Sequence, residues 1–411
     1  MNQYNISDFD YQIDEDKIAN EPLKNRSKSK LLVYKDNTIK EETFDFLPNH
    51  INTNDVVLLN TTKVIPARLY FQTETDAQIE ILCLEPLSEG NKNSTWKVFI
   101  GNKKKWKEDV LLSLKKDNLI LTAKLLTVIE DAYEIFFDWN QEMSFYEVLD
   151  VLGHVPLPPY IKREDHEFDK NNYQTIFAQE SGSVAAPTAS LHFDDEVLAR
   201  IKRKGVQVCT LTLHVGAGTF KPMKSDCIEE HLMHREYFSI PFRTIEQCLI
   251  ALKTKHKIFA VGTTALRSIE SIALIANKLS EKIALINLER GFSYNDEEKK
   301  EWMQFFDVIN VMQWERKNPS LDDTIGDLEL LIDLMAWLDI KSLDGFTYLM
   351  ITPGFKFQIA NQLVTNFHQP KSTLLLLVSA FIGDKWKEIY NFALANNFRF
   401  FSYGDASLLS K

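Results

Sequence analysis

The sequence predicts an α/β main domain on a mixed sheet, carrying an inserted small all-β barrel. Three observations predict this class. Strand-like and helix-like segments alternate between 194 and 267, the pattern of a sheet flanked by helices. Short alternating segments recur between 67 and 149, separated by Gly, Asn, Lys and Asp clusters, as in a small barrel or sandwich. The 411 residues also exceed what one hydrophobic core usually serves. The main domain is expected over 1–66 and 153–411, the barrel over 67–152, and an accessory helical insertion over 295–345.

Each element has a local reason. In the barrel region, QIEILCL at 78–84, the run 96–100 and the run 119–128 alternate apolar and polar residues, so each is a strand with one buried face. The proline-rich VPLPPY at 155–160 is expected to mark the return to the main domain. Asp194 or Asp195 can cap a helix that sets Val197, Leu198 and Ile201 on one face and stops at Gly205. VQVCTLTL at 206–213 reads as a strand. A helix from about Thr244, a buried strand at 258–261 and a helix opening at Thr263 or Thr264 follow. The charged, tryptophan-containing stretch 295–345 is patterned for helix, most clearly around 323–338.

Composition narrows the function classes. A 45% apolar fraction is ordinary for a globular chain. The longest apolar run, 374–382, is about half the roughly 18–20 residues that span a bilayer, so a buried helix or strand is expected there and no membrane association. The first residues are acidic (Asp8, Asp10, Asp14, Glu15, Asp16), unlike a signal peptide. Cys83, Cys209, Cys227 and Cys248 are far apart and form no C-x-x-C pair, which fits a reducing cytoplasm. The net charge of −11 argues against general nucleic-acid binding by the whole surface. Local basic clusters remain at Lys103, Lys104, Lys105 and Lys107, and at Lys24, Arg26, Lys28 and Lys30.

Several segments are rich in small and polar residues next to apolar runs. VAAPTASLHF (184–193) offers Thr188, Ser190 and His192. TLHVGAGTF (212–220) follows a strand, and Gly216 and Gly218 permit close approach of backbone N–H groups to an anion. It lacks the third glycine of a dinucleotide fingerprint. CIEEHLMH (227–234) places His231 and His234 three apart, on one face if helical, but not in the zincin order. AVGTTALRSIES (260–271) is a strand, a tight turn and a helix start, a seat for a carboxylate or phosphate. There Arg267 and Glu270 are spaced to pair with each other. PGFKF (353–357), TNFHQPKST (365–373) and FFSYGD (400–405) complete the set. Neither a P-loop nor a G-x-S-x-G elbow is present.

In order, these segments resemble the S-adenosylmethionine:tRNA ribosyltransferase-isomerase family of queuosine biosynthesis. IANEPLKNRSKSKLL (18–32), LLNTTKVIPARL (58–69), PLPPYI (156–161) and YQTIFA (173–178) add to the match, which covers nearly the whole chain. The resemblance implies an α/β domain with an inserted β-barrel. It also implies transfer and isomerisation of the ribosyl part of S-adenosylmethionine onto 7-aminomethyl-7-deazaguanine in tRNA. The products are epoxyqueuosine-tRNA, adenine and methionine. S-adenosylmethionine is consumed, no metal is expected, tRNA is the macromolecular partner, and a monomer is expected.

The implied chemistry needs bases, because the sulfonium acidifies the adjacent ribose carbon and the incoming amine must be unprotonated. His192, His214, Glu229, His231 and His234 form the pool for these proton transfers. Thr188, Phe193, Gly216, Gly218, Thr219, Gly262, Thr263, Thr264 and Arg267 are expected around S-adenosylmethionine. Asn60, Lys63, Arg68, Asn366, His368, Lys371, Ser372, Tyr403 and Asp405 are expected toward the RNA. Phe193, Phe220, Phe355 and Tyr403 are candidates to stack on a base, and Asp405 to read a guanine-like edge. The chain departs from the family pattern at Thr61, where a carboxylate is usual, and at Lys63, where arginine is usual. Ser190 and Phe355 are smaller departures. Three other readings stay open: a paralogue that binds without turnover, an enzyme with another acceptor, and a metal-dependent hydrolase using His231 and His234.

Overall fold

The structure is a computed structural model that describes residues 4–107, 109–129, 131–216, 218, 223, 227–289, 295–307 and 309–411. Thr219 and Phe220 lie outside the described residues. Along the chain come β1 (Lys30–Lys35), β2 (Thr38–Thr43), β3 (Val56–Asn60), β4 (Thr62–Val64), β5 (Arg68–Gln72), β6 (Gln78–Glu89) and β7 (Asn93–Gly101). Then follow β8 (Leu112–Lys116), β9 (Leu119–Ile129), β10 (Ala132–Trp139), α1 (Phe145–Leu152), α2 (Asp169–Asn172), β11 (Glu180–Ser183), α3 (Asp195–Arg203), β12 (Gln207–Leu213) and β13 (Glu236–Pro241). The last part comprises α4 (Phe242–Lys253), β14 (Ile258–Val261), α5 (Thr263–Glu289), α6 (Asp296–Asp307), β15 (Asn310–Val311) and α7 (Leu321–Leu338). β16 (Ser342–Thr347), β17 (Gln362–Asn366), α8 (Thr373–Ile382), α9 (Lys385–Ala395) and β18 (Ala406–Ser410) complete it.

The chain divides into two compact units. The first takes 1–62, 175–178 and 187–411, and the second takes 63–174 and 179–186. The second unit thus extends past both ends of the expected 67–152. The proline-rich 155–160 segment lies inside it and not at a return to the first unit.

In the second unit an antiparallel sheet runs β5-β6-β7-β10-β9-β8. Its end strands β5 and β8 lie side by side, so the sheet is a nearly closed barrel. Alternation sends Ile79, Ile81, Cys83, Trp96, Val98, Leu121 and Phe137 inward, the period-2 rule of a one-sided strand. Helix α1 plugs the barrel with Phe145, whose ring packs 4.7 Å from Phe137 and 5.2 Å from Trp96. Its start is fixed by a reciprocal cap between Ser144 and Glu147, which satisfies two otherwise orphaned donors.

The first unit holds a ten-stranded mixed sheet, in order β15-β16-β13-β12-β3-β14-β17-β18-β1-β2. β12, β3, β14 and β17 are adjacent and parallel. β3 and β14 are buried along their whole length, as strands covered on both faces must be. Asp194 caps α3 by accepting from the Val197 N–H at 2.8 Å. Val197 and Ile201 then bury against Phe44, Leu59, Phe193 and Val261, each such side chain contributing about 1.5–3 kcal/mol by burial.

Two expectations are corrected. Residues 295–345 are not wholly an accessory helical insertion, because β15 and most of β16 lie there and extend the main sheet. Arg267 and Glu270 do not pair. Glu270 is fully buried and accepts from the N–H groups of Gln358, Ile359 and Ala360 at 2.7, 3.1 and 2.9 Å. It fastens α5 to the segment entering β17. Burial pushes its pKa up, against the three backbone donors that favour the carboxylate.

Candidate functional site

Strand register gathers the sequence motifs on one edge of the ten-stranded sheet. The parallel strands β12, β3, β14 and β17 end at Leu213, Asn60, Val261 and Asn366, and pairing sets these ends side by side. β18 starts at Ala406, which has Asn366 of β17 on one side and Leu31 of β1 on the other. β13 starts at Glu236 opposite Thr347, the end of β16. His214, 60–62, 262–264, 366–368, 403–405, Ser29, Glu236 and 349–351 therefore share one edge. The carboxyl ends of parallel strands are where open α/β sheets bind ligands, since successive loops diverge there.

A cavity on this edge leaves about 520 Å³ of empty space, its open mouth included. Gly218, His231, His234, Glu236 and Arg267 give it a polar side, while Leu349, Ile351, Leu374 and Leu377 give it an apolar one. Arg267, on α5, is 4% exposed. Its Nε donates to the Leu349 carbonyl at 3.1 Å, and its Nη1 pairs with the Glu236 carboxylate. Its Nη2 is buried without a partner among the described residues. Glu236 also accepts from the Gly216 N–H at 3.2 Å. A side chain at Gly218 would meet the His234 ring at 2.2 Å, so glycine is required for the approach of these two segments.

His231 and His234 share this cavity, but not on a helix. The short turn Ile228–Glu230 ends before His231, whose backbone is extended. Burial, then the neighbouring His234, holds His231 below the usual imidazole pKa. Glu229 does not join them. It is exposed, accepts from the Cys227 thiol at 3.0 Å, and lines a neighbouring cleft with Tyr4, Trp314 and Arg316. That thiol contact comes first in lowering the Glu229 pKa.

A second polar group surrounds the turn Thr188–His192. His192 is buried, with Nδ1 2.8 Å from Ser29 Oγ and Nε2 3.3 Å from Asn366 Nδ2. Burial, with the nearby Arg399 and Arg26 charges, lowers its pKa to about 3. It borders a small cavity with Arg26, Arg399 and Tyr403. Ala189 packs against Gly262, whose φ of +90° suits glycine. Ser190 Oγ, Thr264 Oγ1 and Asn366 Oδ1 are buried there without partners among the described residues. Thr263 is buried at the start of α5, and Thr188 is half-buried.

His214 continues β12. Its Nδ1 lies 2.8 Å from Thr62 Oγ1, its ring stacks on Tyr237, and burial lowers its pKa to about 4. Thr61, at the first departure from the family pattern, is buried and bonds the Leu211 carbonyl at 3.2 Å and Thr212 Oγ1 at 3.1 Å.

Other expected ligand contacts are committed elsewhere. Phe193 is 0% exposed, edge-on to Phe44 and Phe177 in the core, so the expectation that it stacks on a ligand is corrected. Phe355 is also buried, edge-on to Phe357. Asn60 spends its amide on the backbone of Thr62 and Leu213. Asp405 accepts from the Lys30 and Arg399 N–H groups and from the Arg399 guanidinium, which leaves it shaping the 399–405 turn and not reading a base. His368 is buried, 2.8 Å from Thr365 Oγ1, with its pKa lowered to about 3 by burial. Ser372 caps α8, and Lys371 pairs with Asp10 at 2.9 Å. Lys63 and Arg68 belong to the second unit. Lys63 is exposed there, and Arg68 meets Glu80 at 2.9 Å.

Glu236 was missed by sequence reasoning, although EYFSIP carried a signal. Phe238 and Ile240 are apolar at alternate positions, so Glu236 falls on the same buried face. Among the described residues, no group of three or more His, Cys, Asp or Glu side chains is arranged to hold a metal.

The family model described as "Queuosine biosynthesis protein" matches residues 6–297 and 324–409. A Sulfurihydrogenibium protein named S-adenosylmethionine:tRNA ribosyltransferase-isomerase is 36% identical, over 98% of this chain and 99% of the relative. Proteins of the same name from Finegoldia magna and Aquifex aeolicus are 35% and 34% identical. They match 99% and 98% of this chain, and 98% and 99% of their own lengths. The crystal structure of an S-adenosylmethionine tRNA ribosyltransferase from Thermotoga maritima is 28% identical. That comparison covers 98% of this chain and 99% of the other, with a TM-score of 0.45.

Removing one partner of the buried ion pair strands the other charge. Glu236→Ala is expected to destabilise the chain by about 3–5 kcal/mol in urea unfolding. Glu236→Leu combined with Arg267→Met is expected to cost less than Glu236→Ala alone. Equal stability of Glu236→Ala and the parent would show that the pair carries no such constraint.

Proposed function

Since the chain belongs to the S-adenosylmethionine:tRNA ribosyltransferase-isomerase family, we propose that it uses the carboxyl edge of its large sheet to move a ribosyl group onto RNA. The donor is S-adenosylmethionine and the acceptor is 7-aminomethyl-7-deazaguanine in tRNA. Epoxyqueuosine-tRNA, adenine and methionine are the products. The observation that carries the siting is Arg267: a buried guanidinium with one nitrogen unpartnered among the described residues, on a cavity that also holds two histidines.

S-adenosylmethionine fits this surroundings by chemistry. When bound, it supplies an acidified ribose carbon and a departing adenine. Arg267 Nη2 seats the amino-acid carboxylate, in a bond strengthened by charge. The apolar side formed by Leu349, Ile351, Leu374 and Leu377 excludes water. Ser190, Thr264 and Asn366 supply polar partners for the sugar, at the start of a helix whose free N–H groups favour negative charge.

His231 and His234 face the cavity and carry the proton transfers. With its pKa lowered, His231 stays neutral at neutral pH and can take a proton. His192 and His214 are positioning residues, because each ring is fixed by a hydroxyl, from Ser29 and Thr62 respectively. Asn60 and Asp405 act likewise on backbone. Thr61, in its hydroxyl bonds, keeps the β3–β12 junction closed without a carboxylate.

The direct test supplies labelled S-adenosylmethionine and tRNA carrying the aminomethyl-deazaguanine. Release of adenine and methionine that depends on this tRNA is expected. Tight binding without release would sink the reading in favour of a non-catalytic paralogue. The His231 assignment has its own test in the pH profile. The His234 charge helps lower the His231 pKa, so His234→Gln should raise it. The acid limb of kcat/KM then moves to higher pH. An unmoved limb would remove His231 as the base.

Lys104, Lys105 and Lys107 are exposed on the barrel unit and are proposed to lie against the RNA backbone. Changing all three to glutamine should weaken tRNA binding and flatten the slope of log affinity against log salt by roughly two to three. An unchanged slope would place the RNA elsewhere.

A further inference from the structure

The cleft beside the reacting cavity is lined by Tyr4, Ile228, Glu229, Trp314, Arg316 and the 352–354 turn, and encloses about 610 Å³ with its open mouth. Two of these residues, Trp314 and Arg316, come from 298–323, the stretch that the family model does not match. The two clefts are built from consecutive residues of the same two segments. Residues 231–234 and 349–351 line one, and 228–229 and 352–354 line the other. Gln313 pins them together. Its side chain bonds the Met233 N–H and the His231 carbonyl, and its backbone carbonyl accepts from the Met350 N–H at 3.0 Å.

The lining has the chemistry of a nucleotide subsite. Trp314 and Tyr4 offer aromatic faces, and the Arg316 guanidinium sits 6.0 Å from the Trp314 ring centre. Its Nη2 donates to Thr352 Oγ1, which fixes the plane of the fork. Its Nε is buried and meets no acceptor among the described residues. Gly354, at φ +90°, brings backbone close, so that a Cβ there would lie 3.8 Å from Arg316 Nη1. Among the described residues, Glu229 is the one acidic group in the lining. Its carboxylate disfavours a bare anion but suits a base that presents N–H donors.

We propose that this cleft binds a nucleotide of the RNA that neighbours the modified one. The base stacks on Trp314 and Tyr4 with its donor edge toward Glu229, and its phosphate lies on Arg316. The inference rests on the RNA substrate proposed above. It adds a contact from Trp314 and Arg316, which lie outside the residues that the family model matches. A strand whose reacting nucleotide enters the His231–Arg267 cavity meets this cleft next, since the two share their walls. Stacking tolerates any base and makes a large contribution to single-strand binding.

The test separates RNA affinity from donor affinity in the full-length enzyme. Trp314→Ala and Arg316→Gln are expected to raise the KM for tRNA about tenfold each. The KM for S-adenosylmethionine and kcat at saturating tRNA should stay within about twofold of the parent. Trp314→Phe and Arg316→Lys should recover much of the loss. An unchanged KM for tRNA in both variants would overturn the subsite, as would an equal rise in the KM for S-adenosylmethionine. Should the parent release no adenine, direct tRNA binding still decides the point. Weaker binding by Trp314→Ala supports the subsite, and equal binding overturns it. Adenosine monophosphate binding as tightly as tRNA would instead mark a free-nucleotide site and overturn the proposal.

Discussion

A buried charge has to be matched where it sits, and the Glu236–Arg267 pair imposes that requirement on the site. Arg267 comes from α5, Glu236 from the start of β13, and the Leu349 carbonyl from the segment after β16. Three elements distant in sequence are held by one guanidinium. Burial of this pair is costly in itself, so it is weak evidence for stability and better evidence for orientation. The planar fork fixes direction as well as charge. With Nε and Nη1 occupied, the remaining nitrogen has a defined place on the cavity wall. The Gly216 N–H bond to Glu236 then draws Gly216 onto the same point, and the bare Gly218 lets His234 approach.

The same logic separates residues that bind from residues that hold. Asn60, Asp405, His192 and His368 looked like ligand groups because they are polar residues in family motifs. In the fold, their hydrogen-bonding atoms largely serve strand ends and turns on the same edge. A parallel sheet leaves backbone groups unpaired where its strands stop, and side chains must satisfy them. Asn60 does so between β3 and β12, and Asp405 does so ahead of β18. Such residues can be invariant in type without touching a substrate. The atoms left without partners, on Arg267, Ser190, Thr264 and Asn366, are the better guide to where a ligand enters.

Legibility in the sequence followed the range of the interaction involved. The helix at 195–203, the strands at 207–213 and 258–261 and the barrel strands were readable because capping and periodicity are local. β15 and β16 were not, because β16 joins the sheet by pairing with β13, more than a hundred residues away in sequence, and β15 joins it only through β16. His231 and His234 were read on a helix, since i to i+3 spacing suggests one. The turn stops at Glu230, and extended chain brings both rings to the cavity instead. Glu236 was hidden for a related reason. A charged residue at the head of a strand normally reads as exposed, and only the alternation with Phe238 and Ile240 places it inside. Phe193 shows the converse: a motif aromatic that belongs to the core.

The family comparison and the geometry carry different parts of the functional argument. Membership supplies the reaction, which no cavity could reveal, because sulfonium chemistry leaves no signature in a lining of arginine, histidine and leucine. Geometry supplies the ordering of roles within the chain. It places His231 with Arg267 and sets Glu229 in the next cleft, although the three lie within one short stretch or one helix start in sequence. That separation matters for a two-substrate enzyme. The donor needs a dry, charge-matched cavity, whereas a polynucleotide needs an open surface with stacking faces and a cation. The 228–234 and 349–354 segments line two clefts of these two kinds, which is what the proposed roles require. The stretch that supplies Trp314 and Arg316 to the second cleft lies outside the family model, whereas Glu236 and Arg267 lie inside it.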